Sequence, residues 1–230
     1  MKGKVQIREL KIYTKNLEGQ FKFYSKIIGL KVIDYSENYT TFQIGNSRIQ
    51  MVKSDISHPY HLAINIPCNR EHEALKWLKE RVEILKVGLN EIQDFRSWNA
   101  KAIYFYDLDN NIIEFIARKN IKNKSKTKFS ADSLLEISEI GIPVNSIEKI
   151  FRKIHRTTGM KKFDGDFEKF CAIGDENGLF ISINKKVKSW FPTGDKAYSA
   201  TFEIRFIEKG YNYELKFINE DVTVTACGGY

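Results

Sequence analysis

Apolar and polar residues alternate along much of this chain with the period of two that suits half-buried strands, and stripes of helical period interrupt the alternation. Residues 5–13 read as a strand. Asn16 then suits a helix N-cap, Leu17, Phe21, Tyr24 and Ile28 mark one helix face, and Gly29 suits the helix end. Strands are predicted near 31–35, 39–45 and 47–53. The order recurs with strand 60–66, an N-cap at Asn69 and a helix through Ala74, Leu75 and Leu78. After a short strand and loop within 80–98 come strand 101–106, the turn Asp107-Leu108-Asp109-Asn110 and strand 111–117. Residues 1–118 therefore contain a βαβββ unit twice.

The second half begins the same way. Ile140, Ile142 and Val144 alternate in a strand, and Ile147, Ile150, Phe151 and Ile154 form a helical stripe. Strands are predicted near 160–163, 167–174 and 178–185. Strand 198–206, with Ala200, Phe202, Ile204 and Phe206 alternating, opens a fourth unit. No helical pattern follows, so that unit is expected to be shortened to strands 211–218 and 221–226. Residues 119–133 lack periodic apolar positions and read as a basic linker. The expectation is an α+β protein of tandem βαβββ units, forming two curled mixed β-sheet domains with outer helices. One domain spans 1–118 and the other, with the shortened unit, spans 134–230.

Composition narrows the function classes. At 230 residues, 42% of them hydrophobic, the chain can build substantial cores. No apolar run is long enough to span a bilayer and the first residues lack an apolar signal core, so no membrane partner is expected. Cys68, Cys171 and Cys227 are widely spaced and odd in number, which fits a reducing, cytoplasmic setting better than a disulfide framework. The net charge of +8 owes much to Lys119, Lys122, Lys124, Lys126 and Lys128 in the linker, so it reads as a solvated segment and not as a nucleic-acid surface.

Candidate chemistry lies in isolated polar residues on apolar strands. His61 sits in Tyr60-His61-Leu62-Ala63-Ile64-Asn65-Ile66, Glu9 in Ile7-Arg8-Glu9-Leu10-Lys11-Ile12, and Glu114 in Asn111-Ile112-Ile113-Glu114-Phe115-Ile116. Each faces away from the packed side of its strand. Two carboxylates and one imidazole form a plausible divalent-metal set.

Three motifs then resemble the vicinal oxygen chelate superfamily, which includes glyoxalase I, fosfomycin-resistance thiol transferases, bleomycin-resistance proteins and extradiol dioxygenases. They are Phe23-Tyr24-Ser25-Lys26-Ile27-Ile28-Gly29-Leu30, the strand His61-Leu62-Ala63-Ile64, and the hairpin Tyr104-Phe105-Tyr106-Asp107-Leu108-Asp109-Asn110-Asn111-Ile112-Ile113-Glu114. Leu108 and Asn110 replace the usual Pro and Gly. The resemblance implies sheets curled around a cleft, with Glu9, His61 and Glu114 as ligands of one divalent ion (Zn, Ni, Mn, Co or Fe). Glu9 and Glu114 would also be catalytic, and Tyr104 would contact substrate. Strand parity adds Lys11, Gln43, Gln50, Asn65 and Tyr106 to the inner face, and Gln50 falls where glyoxalase I has a fourth ligand. In the second half Glu139 sits where a first ligand would be and Ser199 takes the place of the histidine, so that half is expected to hold no metal. Ser199, Thr201 and Arg205 could instead line a groove. The extradiol enzymes need two histidines and a carboxylate, together with a histidine shortly before the hairpin, where Phe95–Lys101 has none. The implied function is metal-dependent Lewis-acid chemistry on a small oxygen-chelating substrate, as a lyase or isomerase, in a monomer or homodimer. Thiol transfer, ring cleavage and non-catalytic binding are the alternatives.

Overall fold

The computed structural model describes residues 4–229. The first unit runs from β1 (Gln6–Thr14) through α1 (Leu17–Lys22) to β2 (Lys31–Tyr35), β3 (Tyr39–Ile44) and β4 (Ser47–Lys53). Asn16 caps α1, its side-chain oxygen accepting from the Gly19 N–H at 3.1 Å. A π-turn over Phe23–Ile27 extends the helix to Gly29, whose φ of +77° is a left-handed value that glycine adopts without strain.

The second unit comprises β5 (His61–Ile66), α2 (Glu71–Lys79), the short β6 (Ile84–Leu85) and β7 (Gln93–Phe95), then β8 (Ala100–Tyr106) and β9 (Ile112–Arg118). Arg70, not Asn69, occupies the N-cap of α2, because the Asn69 side chain is spent on the backbone N–H and carbonyl of Ser125. The third unit has β10 (Glu136–Val144), α3 (Ile147–Thr158), β11 (Lys162–Gly165), β12 (Phe170–Asp175) and β13 (Gly178–Asn184). The fourth is β14 (Phe202–Glu208), β15 (Tyr211–Ile218) and β16 (Asp221–Gly229), with no helix, as its sequence implies. Its first strand starts at Phe202 instead of 198 because the preceding residues form an irregular strap.

Units pair across the chain, not within its halves. The first and fourth share a seven-stranded sheet in the order β16-β15-β14-β1-β4-β3-β2. The second and third share a nine-stranded sheet in which β10 lies against β5. Each seam is antiparallel, β1 with β14 and β10 with β5. Residues 1–118 are therefore not a self-contained sheet domain. Residues 119–133 are not a free linker either. Phe129 is buried against Trp77 and Phe115, its N–H donates to Glu73, and Lys119 binds Glu71 at 2.9 Å, so the segment is strapped across α2. One aromatic anchor has no period to reveal it.

A single apolar core joins the inner faces of both sheets, through Leu10, Phe42, Ile64, Ile140, Phe180 and Phe206 among others. The opposite faces differ. On the seven-stranded sheet β14 alternates cleanly, with Phe202, Ile204 and Phe206 inside and Glu203 and Arg205 toward water. On the nine-stranded sheet β5 is buried on both faces, because Ala63, Tyr104, Ile116, Ile181 and Trp190 pack over its second side. Among the described residues no helix is long and apolar enough to cross a membrane.

Residues 1–118 expressed alone would lose β14 from β1 and β10 from β5, turning two central strands into open edges beside apolar faces. That fragment should self-associate or aggregate on size-exclusion chromatography. A monomeric fragment as stable as the full chain would contradict the cross-chain pairing.

Candidate functional site

The second face of the nine-stranded sheet carries one polar row. Across five strands the register aligns Tyr104 with Glu114, Glu114 with Ala63, Ala63 with Glu139, and Glu139 with Leu179. His61 lies two residues before Ala63 on the same face of β5. His61, Glu114, Glu139 and Tyr104 are all buried. Glu139 reaches its position through a bulge in β10 between Ile137 and Glu139; β1 carries the same bulge between Ile7 and Glu9. Glu139 and Glu9 are thus counterparts in the two sheets.

Their surroundings separate them. Glu139 faces Ala63, a side chain small enough to leave space, whereas Glu9 faces Arg205 and pairs with it at 3.8 Å. Glu9 stands on the seven-stranded sheet, apart from His61 and Glu114. The structure does not bring it to their row, where Glu139 lies instead, because β5 takes β10 and not β1 as its neighbour. Lys11 and Gln50 also lie on the seven-stranded sheet. Lys11 is tied to Glu203 at 2.8 Å, and that bond holds the Glu203 carboxyl down to about 2. Gln50 donates to Thr41, and Gln43 donates to the carbonyls of Gly45 and Ser47. Asn65 shares the face of His61 but is spent on Glu136, the Glu176 carbonyl and Arg118. The Tyr106 hydroxyl binds Asp195. Ser199 lies outside the strands, donating to the Pro143 carbonyl and accepting from Lys185, and so does not replace the histidine.

Above the polar row is a cavity of about 630 Å³. His61, Glu114 and Glu139 lie at its buried end, and Phe95, Trp98, Tyr104, Phe170, Trp190 and Phe191 give it aromatic walls. Trp190 comes from the strap between β13 and β14 and meets the His61 ring edge-on, with centroids 4.8 Å apart. It can lie there because Gly141 has no side chain: a Cβ at that position would fall 2.6 Å from the indole ring. Phe191 packs edge-on against Tyr104 at 5.6 Å.

The electrostatics of the buried end are unbalanced. Arg118 is fully buried, binds Glu139 through Nη2, and donates from Nε to Asn65 at 3.2 Å. With both carboxylates ionised and His61 neutral, the four groups carry one net negative charge in a place with little water. Burial, followed by repulsion from Glu114, pushes the Glu139 carboxyl up to about 7, although Arg118 and His61 oppose the rise. Burial and the adjacent Glu114 also lift Tyr104 well above the usual phenol range. His61 Nε2 stands 3.3 Å from Glu114 Oε2, while His61 Nδ1 is buried without a partner.

This donor set suits a divalent cation. An imidazole nitrogen and a carboxylate oxygen already converge, and a second carboxylate shares their row. Yet among the described residues no three His, Cys, Asp or Glu side chains form a preformed metal cage. The Glu139 carboxylate is drawn to Arg118 instead. Arg118, Lys188 and the two indoles, Trp98 and Trp190, escaped the sequence reading, since an Arg at a strand end and aromatics in loops have no distinguishing period.

No family model matches the sequence, and no curated protein matches it. Solved structures do match the fold. A protein from Bacillus subtilis subsp. subtilis str. 168 assigned as a dioxygenase is 12% identical, with 100% of this chain and 87% of that chain covered and a TM-score of 0.63. Glyoxalase I from Zea mays is 14% identical over 90% of this chain and 89% of its own, with a TM-score of 0.55. A fosfomycin-resistance protein from Listeria monocytogenes, solved with Mn(II) and a dihydroxypropylphosphonic acid, is 21% identical over 50% of this chain and 91% of its own, with a TM-score of 0.39. This chain shares its tandem βαβββ fold with the dioxygenase-assigned protein and with glyoxalase I.

The raised Glu139 pKa has a definite sign in stability. A carboxyl at about 7 in the folded chain and 4.5 when unfolded stabilises the fold fully below 4.5, and that contribution is lost as pH rises through 7. In the presence of a chelator this group should remove roughly 2–3 kcal/mol of stability between pH 5 and 8. Urea unfolding of Glu139→Gln should show a correspondingly flatter pH dependence than wild type. An unchanged slope would mean that Glu139 ionises normally.

Proposed function

We propose that this protein is a metal-dependent enzyme of glyoxalase-like type, a lyase or isomerase, acting on a small oxygen-bearing substrate in the aromatic cavity. The observation that carries this reading is the convergence of His61 and Glu114, on one row with Glu139, at the closed end of that cavity. His61, Glu114 and Glu139 would hold the ion, whose charge the two carboxylates would balance. A divalent ion bound there supplies Lewis acidity toward substrate oxygens.

The residues around the row have separable roles. Without an ion, burial and the nearby Glu114 raise the Glu139 carboxyl, so its engagement as a ligand would release a proton. Tyr104 stays a neutral phenol and serves as a donor, positioning a substrate oxygen beside Glu114. Trp190 and Phe191 close the strap over the row and keep water from it, which strengthens every charge interaction inside.

A second reading is non-catalytic binding of a small molecule. The Arg118–Glu139 pair favours it, since it satisfies one carboxylate without a metal.

Metal analysis separates the two. Chelator-stripped wild type should take up one divalent ion per chain, and His61→Ala should lose most of it while keeping its circular dichroism spectrum. Glu9→Ala should retain the ion, because Glu9 belongs to the other sheet. Wild type that binds no ion from a Zn, Mn, Ni, Co and Fe series would leave the binding reading standing. Uptake should also weaken in acid, since the imidazole and carboxylate ligands must be deprotonated to coordinate. Constant uptake down to about pH 4.5 would exclude a histidine ligand.

A further inference from the structure

The two ends of the cavity differ in their charged groups. The buried end holds Glu114 and Glu139 against the single cation Arg118. Toward the exposed end the lining includes Lys188, Ser189 and Asp164. Asp164 is already engaged, accepting from the Trp98 indole N–H. Lys188 is half-buried, and among the described residues its ammonium has neither an ion-pair nor a hydrogen-bond partner. It rests over the Phe170 ring, with Nζ 4.5 Å from the centroid. Asp166 lies near enough to favour the charge without touching it, and an ammonium partly withdrawn from water with no direct ion-pair partner gains from an anion placed on it. Burial correspondingly lowers its pKa.

Between the two ends the walls are rings. Trp98 and Phe170 lie on one side, with centroids 6.2 Å apart, and Phe95 and Phe191 pack edge-on at 5.7 Å. Flat apolar bodies suit such walls. An anionic head group is repelled at the carboxylate end and attracted at the lysine end, so the charge pattern also sets the orientation of a bound molecule.

We propose that the cavity selects aromatic anions, holding the ring between Trp98, Phe170 and Phe191 with the anionic group on Lys188, and that Lys188 is the specificity-determining residue. Neutral oxygen substituents at the far end of such a molecule then face His61 and Glu114. The proposal rests on the cavity being the functional site, but not on a metal in it.

The test uses the full chain with chelator present, so failure of metal binding leaves its outcome unaffected. Isothermal titration calorimetry compares naphthalene-2-carboxylate, naphthalene-2-carboxamide and 2-naphthylmethylammonium, which share a ring and differ in charge. The carboxylate should bind about tenfold more tightly than the amide, as one charge-assisted contact supplies, and the ammonium should bind weakest. Lys188→Met should bring the carboxylate to the affinity of the amide without changing the latter, Lys188→Arg should keep the preference, and Lys186→Met, at an exposed neighbouring lysine, should behave as wild type. Equal binding of carboxylate and amide by wild type would overturn the proposal. So would a preference that survives Lys188→Met, or failure of all three probes to bind.

Discussion

A guanidinium buried beyond reach of water cannot shed its proton, so Arg118 must be matched by charge and hydrogen bonds from its neighbours. It ends β9, and its partners Asn65 and Glu139 come from β5 and β10. Those three strands are the seam between the second and third units. A slip of one residue in either strand would send Asn65 or Glu139 to the opposite face and strand the cation. The pair thus locks the register in which Glu139 shares a row with Glu114, and the polar end of the cavity follows from that register. Replacing the pair with apolar residues could hold the strands together, but it would remove the second carboxylate from the row.

The same repeat has two different outcomes in one chain. Both β1 and β10 carry a bulge that presents a glutamate, yet one glutamate meets an arginine and the other an alanine. Across from Glu9, Arg205 also approaches Glu214, and Lys11, Glu203 and Lys216 continue the pattern into a half-exposed ladder of ion pairs. Such pairs contribute little to stability and keep the face wet. Across from Glu139, Ala63 leaves room, and Trp190 and Phe191 roof it. The difference between a filled face and a cavity rests on the side chain opposite the bulge and on the strap above it.

Much of this was legible in the sequence. Period-two runs marked nearly all long strands, Asn16 and Gly29 bounded the first helix, and the parity of His61 and Glu114 put them on the face turned away from the main core. Strand pairing was not legible, because alternation says which face a residue occupies and nothing about which strand lies beside it. Glu9 and Glu139 carry the same local signal, and only the choice of neighbour decides which of them joins His61. The bulges were hidden as well. The walls and roof were less visible still, since Trp98, Lys188 and Trp190 sit in irregular segments whose conformation depends on what they cover.

The nested pairing sets an order of assembly. The nine-stranded sheet draws its strands from residues between His61 and Asn184, so its pairing partners have all been made before the last strands exist. In the first unit β1 pairs with β4, but its other edge has no partner until Phe202–Glu208 is made. During translation that edge of β1 stays open while the strands of the other sheet are made, and closing that loop is the most non-local step in the fold. The cavity-bearing sheet can therefore form while one edge of the first unit is still open.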